Sequence, residues 1–91
     1  MPDCIETEAI SSLRKLYSEK GLRNNVITPL TQERTRMQCQ TGKQVFSSPQ
    51  MKDLFSGLIR SIPALGEIAS SHVSLLAKLS IVLQVCNKAL H

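Results

Sequence analysis

Aromatic side chains are scarce in this chain. Tyr17, Phe46 and Phe55 make up 3% of it, and there is no tryptophan. A base-stacking platform needs exposed rings at close spacing, so that class of nucleic-acid module is excluded. The scarcity also argues against a sheet-rich fold, because strands favour aromatic and β-branched residues. Cysteines are few and far apart. Cys4, Cys39 and Cys86 form neither a disulfide framework nor a paired metal-ligand spacing. Reduced thiols in an intracellular, cytoplasmic-type compartment are the expectation. The start, Met1-Pro2-Asp3-Cys4-Ile5-Glu6, has no basic residue leading an apolar run, so no secretory signal is visible there.

Long hydrophobic runs are missing as well. Val73 to Cys86 is fourteen residues, and a helical span needs roughly 20. Lys78 sits in its middle, where insertion would cost about 2.5–3.5 kcal/mol. No membrane span is expected.

The residue patterns of catalysis are absent too. Asp3, Glu6 and Glu8 gather at a helix start, while Asp53 and Glu67 are isolated, so no carboxylate pair is set for acid–base work. His72 has no Cys, Asp or second His three or four residues away and reads as a hydrogen-bonded, partly buried side chain. His91 reads as a solvated terminal residue. Thr41-Gly42-Lys43 lacks the first glycine of a phosphate-binding loop, whose position is taken by Met37. Cys39 lies near Arg34 and Arg36, a basic setting of the kind reactive thiols occupy, yet no histidine stands beside it to make a catalytic pair. Cys86 reads as a small buried hydrophobe. The expectation is no enzyme, no cofactor and no metal.

What is present is enough for one modest core. The chain has 91 residues, 42% hydrophobic and 20% charged, with a net charge of +4. That length makes a single domain, 1–91, and that balance is not the composition of wholesale disorder. Asp3, with Glu6 three residues on, makes a capping-box pattern. Ile5, Ala9, Ile10, Leu13, Leu16 and Tyr17 then share one helical face, and Gly21 with Leu22 suits a C-terminal cap. The spacing predicts a helix over 3–20.

Residues 22–48 are polar and carry most of the excess positive charge, in Arg23, Arg34, Arg36 and Lys43 against Glu33. This stretch reads as a flexible connecting segment, long for a compact domain, where loops beyond about 12–15 residues are uncommon. A short helix near 31–41, capped by Thr31 and ending at Gly42, is preferred there over a strand turning at 41–43. Ser48-Pro49 opens a helix over 49–61, with serine as cap and proline in the first turn. Met51, Leu54, Phe55, Leu58, Ile59 and Ile62 repeat at three and four. Thr28-Pro29 and Ser48-Pro49 are also of the type that proline-directed kinases modify, although capping alone explains Ser48. Pro63 ends that helix, and a third is expected over about 63–89.

This last helix dominates the reading. Ile68, Leu75, Leu79, Val82 and Cys86 form one stripe and Val73, Leu76, Leu83 and Leu90 another. Ala77, Ile81 and Val85 nearly close the circle, and a helix apolar nearly all round must be covered. The fold class is therefore all-α, a small helical bundle of three main helices.

Two one-striped helices leave apolar surface in surplus, and exposed apolar patches mark interaction sites. The first functional expectation is a non-enzymatic protein–protein interaction module, a small subunit or adaptor. It would bind a partner helix or its own copy, as a homo- or hetero-oligomer, through Leu54, Leu58, Ile62, Leu75, Leu79, Val82, Leu83 and Cys86. The alternative is a small basic nucleic-acid-binding protein gripping phosphates with Arg23, Arg34, Arg36 and Lys43.

Overall fold

A computed structural model describes residues 2–20 and 23–91 of the chain. Among them are five helices and no strand. Helix α1 runs Pro2–Lys20, α2 Arg23–Gln38, α3 Pro49–Ser61, α4 Pro63–Ser70 and α5 Leu75–Lys88. The all-α bundle expected from the sequence is what forms. Its Cα radius of gyration is 12.7 Å.

Helix α5 is the centre. Leu79, Val82, Leu83 and Cys86 are fully buried, and Val85 and Ala89 nearly so. Helices α1, α2 and α4 all pack on it. A fully buried leucine or valine contributes about 1.5–3 kcal/mol relative to an exposed one, so these contacts set the arrangement of the bundle. Helix α1 presents the predicted face, with Ala9 and Leu13 fully buried and Ile5, Ile10, Leu16 and Tyr17 packed at the margin. Polar bonds then pin it to the end of α5. The Tyr17 hydroxyl donates to the Cys86 carbonyl at 3.1 Å. Arg14 donates to the carbonyls of Ala89 and His91, and Lys88 pairs with Glu6. Glu6 is thus spent on an ion pair. The Asp3 side chain of the capping-box reading, and the Gly21-Leu22 cap, lie outside the described residues.

Two expectations are corrected. The first is the connecting segment. Residues 23–38 form α2, a full helix in place of a flexible connector with a short helix near 31–41. Its buried positions are Val26, Leu30, Glu33 and Met37, spaced four, three and four. That is one helical face, but a carboxylate stands on it and Pro29 lies inside the helix. Both hide the periodicity. Proline in a helix interior costs about 3 kcal/mol, and burying Leu30, Met37 and Val26 against the bundle offsets it. The carbonyl that Pro29 cannot serve belongs to Asn25, an exposed residue that water can reach. Thr31, expected as a cap, is mid-helix, and its carbonyl accepts from the Thr35 hydroxyl at 3.0 Å.

The second correction is the C-terminal helix. The expected 63–89 element is broken at 71–74 into α4 and α5. Serine side chains end α4 by turning back onto its carbonyls. Ser70 donates to Glu67 at 2.9 Å and Ser71 to Ile68 at 2.6 Å. Ser74 then caps α5, accepting from the Ala77 N–H at 3.1 Å. Val73, assigned to an apolar stripe, is 98% exposed in this turn. Ile68 and Leu75, assigned to one stripe, stand on different helices.

Helix α3 begins as predicted, with the Ser48 hydroxyl accepting from the Met51 N–H and Pro49 in the first turn. Ile62, extended at φ −126° and ψ 90°, joins α3 to α4, as a residue before proline should be. The two helices cross closely at Gly66, where a Cβ would come within 3.0 Å of the Ile59 carbonyl oxygen. Among the described residues, no helix is long and apolar enough to cross a membrane.

Candidate functional site

Residues 39–48, here called the strap, leave α2 without regular structure and return to α3. Their course is set by one buried carboxylate. Glu33 is 4% exposed and accepts four hydrogen bonds. Arg36 Nε reaches it at 3.4 Å and Nη2 at 3.1 Å, the Ser47 amide at 2.6 Å and the Ser47 hydroxyl at 2.8 Å. Burial by itself would push the Glu33 carboxyl up, but the bonds from Arg36 and Ser47 outweigh it and hold the pKa below the ordinary glutamate range. Arg36 also donates to the Val45 carbonyl at 2.5 Å and to the Gln40 side chain at 2.8 Å. Further along the strap, Phe46 lies on the buried Phe55, ring centroids 5.6 Å apart and tilted by 44°. The Gln44 side-chain oxygen accepts from the Leu76 N–H at 3.2 Å, tying the strap to the first turn of α5. Gly42, at φ +105°, makes the turn that only glycine adopts without strain.

This anchoring leaves an open cleft of about 570 Å³ between the strap, the first turn of α3 and the start of α5. Val45, Phe46, Pro49 and Leu75 give it apolar walls, and Lys52 is the charged residue lining it. Val45 is 47% exposed. Two residues before Leu75, Val73 stands almost wholly in solvent. A second groove, about 260 Å³, lies between α1, α2 and α3 and is lined by Leu16, Val26, Leu54, Leu58 and Asp53 among others. A third, about 550 Å³, is polar and lies where Arg34 of α2 faces Ser80, Gln84, Asn87 and Lys88 of α5, with His91 beyond.

The residues expected to bind a partner separate sharply. Leu79, Val82, Leu83 and Cys86 are fully buried inside the chain, and Ile62 nearly so. They are core. The unforeseen helix α2 covers the face of α5 that the sequence left in surplus. Leu75 lines the cleft, while Leu54 and Leu58 line the smaller groove. The residues expected to hold phosphates are spread over α2 and the strap. Arg34 lines the polar groove, Arg36 is engaged by Glu33 and the strap, and Lys43 is exposed on the strap. The Arg23 side chain lies outside the described residues.

Sequence reasoning missed Glu33, which shapes the strap, Val45, which lines the cleft, and the exposure of Val73. A carboxylate spaced between Leu30 and Met37 was the signal for Glu33. Nothing local signalled the other two.

Cys4 and Cys39 are exposed free thiols. Burial pushes the Cys86 thiol up to about 11, with the hydrogen bond from Tyr17 working the other way. Burial, and then the neighbouring Cys86, push the Tyr17 hydroxyl up as well. A raised thiol pKa is the opposite of what a nucleophilic cysteine needs. Among the described residues, no group of three His, Cys, Asp or Glu is placed to hold a metal ion. No protein-family model, curated protein or solved structure matches the chain.

Proposed function

We propose that this chain is a non-enzymatic helical protein–protein interaction module, a small subunit or adaptor of a reducing, cytoplasmic-type compartment. The apolar cleft beside the strap carries the reading. Val45 and Leu75 offer partly exposed apolar surface there, and Val73 stands exposed in the turn two residues before Leu75. Exposed apolar surface grouped around a concavity is where proteins bind one another. The contact surface is thus not the α5 stripe but the end of the bundle where the strap meets α5. Three thiols that are all unpaired, one of them fully buried, suit a reducing compartment.

The test is co-purification from the source cells with tagged wild-type chain and with a Val45→Asp/Val73→Asp variant. Both side chains are exposed, so the variant keeps the fold. A protein recovered in fixed proportion with the wild type and lost with the variant supports the reading. Equal recovery with both chains, or with neither, overturns it.

A further inference from the structure

The interaction-module reading leaves open what the cleft holds, and its charge answers that. We propose that the cleft takes a segment of another protein in which a bulky apolar residue is flanked by carboxylates. The inference rests on that reading and names the chemistry of the partner.

The apolar lining of the cleft is formed by Val45, Phe46, Pro49 and Leu75. Among the described residues, the charged side chain at its wall is basic. Lys52 lines the cleft, and Lys43 is exposed on the strap just before Gln44. Among the described residues no acidic side chain lines it. Glu33, the acid that shapes the strap, is turned inward with both oxygens engaged by Arg36 and Ser47. Asp53 faces the other groove. Helices α3 and α5 both begin at the cleft, and neither has an acidic residue in its first turn. Their positive dipole ends therefore add to the field of the lysines. An apolar anchor packs on that lining, and carboxylates beside it meet the rim.

A second copy of this chain is a poor occupant. The common two-fold contact brings the same patch of each subunit together. Here it would bring the lysine-bearing surface of one copy up to that of the other, and like charges facing across a contact are costly. The cleft is also preformed. The strap is fixed by the Glu33–Arg36–Ser47 bonds, the Gln44–Leu76 bond and the Phe46–Phe55 contact, so little conformational freedom is lost when a ligand enters.

The experiment is selection of displayed random peptides on the full chain, followed by fluorescence anisotropy of the enriched peptides. The same measurement is made on Val45→Asp, Val45→Thr, Lys52→Gln and Lys52→Glu, with folding of each checked by circular dichroism. The expected peptides pair Leu, Ile, Phe or Met with nearby Asp or Glu. Their binding should vanish in Val45→Asp and weaken in Val45→Thr. It should weaken about fivefold in Lys52→Glu, less in Lys52→Gln, and decline as salt rises. Enriched peptides that need Val45 but carry neutral or basic flanks overturn the acidic partner and leave the interaction module standing. No peptide that depends on Val45 overturns the cleft as a docking site. If the co-purification also fails, the module reading falls with it. Two controls complete the set. A dimer by light scattering that Val45→Asp abolishes would put a second copy in the cleft. A labelled single-stranded oligonucleotide whose binding Lys52→Glu abolishes would put nucleic acid there. Either result overturns the proposal.

Discussion

Helix α5 and the strap are held by opposite means. Around α5 the contacts are mainly apolar and come from three helices, with Leu79, Val82, Leu83 and Cys86 closed off from water and polar bonds confined to its margins. The strap is held by one carboxylate, one guanidinium, a few amide and hydroxyl bonds and one aromatic pair. Apolar packing is non-directional and cooperative, so α5 is bound to the stability of the whole chain. Hydrogen bonds are directional and local, so the strap can be shaped, or loosened, without unfolding the bundle. A surface for recognition belongs on the second kind of structure, positioned by the first.

The strongest way to break this contrast is Leu83→Ala. Removing a fully buried leucine from α5 should cost about 2–5 kcal/mol. Urea unfolding should show the loss, and hydrogen exchange should show it spread over α1, α2, α4 and α5 together. A loss confined to α5 would mean that the bundle is not one cooperative unit.

Glu33→Ala should have a smaller and local effect. Hydrogen bonds to a charged group contribute about 1.5–3 kcal/mol, and removal also frees Arg36. Amide exchange at Ser47 and its neighbours should accelerate while α5 stays protected. The same carboxylate sets a pH dependence. Its folded pKa is below its unfolded one, so its contribution is present above the unfolded glutamate value and is lost as pH falls through the folded value. In an acid titration Glu33→Gln should remove that part of the decline below about pH 4.3, the unfolded glutamate value. An unchanged acid limb would mean that Glu33 is not the group that titrates.

The finest distinction is between the thiols. At neutral pH, Cys4 and Cys39 should react promptly with a disulfide reagent and Cys86 only on unfolding. Burial raises the Cys86 pKa from 9.0 to about 11. Its contribution to stability is therefore full below pH 9.0 and falls as pH climbs toward about 11. Three thiols reacting at one rate in the native protein would show α5 opening readily, contrary to its packing.

Much of the bundle was legible because its signals are local and periodic. The face of α1, the Ser48-Pro49 start of α3 and the stop at Pro63 each follow from spacing and capping within a few residues. Helix α2 was not legible, because Glu33 occupies a core position and Pro29 an interior one. Both choices make sense only once Ser47, Arg36 and the body of the bundle are in place. The break at 71–74 was missed for a related reason. Apolar residues on either side kept the helical rhythm, and the serines between them outweighed it by bonding to backbone carbonyls.

The sequence by itself determined that the fold is all-α, that an apolar helix near the C-terminus forms its core, and where three of its helices begin or end. Hydrophobic periodicity and capping decide those features before any distant contact forms. Only the tertiary structure decided that α2 would cover α5, that Leu79, Val82, Leu83 and Cys86 would be core rather than interface, and that a cleft would open beside the strap. Those outcomes depend on which distant groups meet. Glu33 reaches Ser47 across fourteen residues, and Gln44 reaches Leu76 across thirty-two. No local pattern in the chain encodes such a pairing.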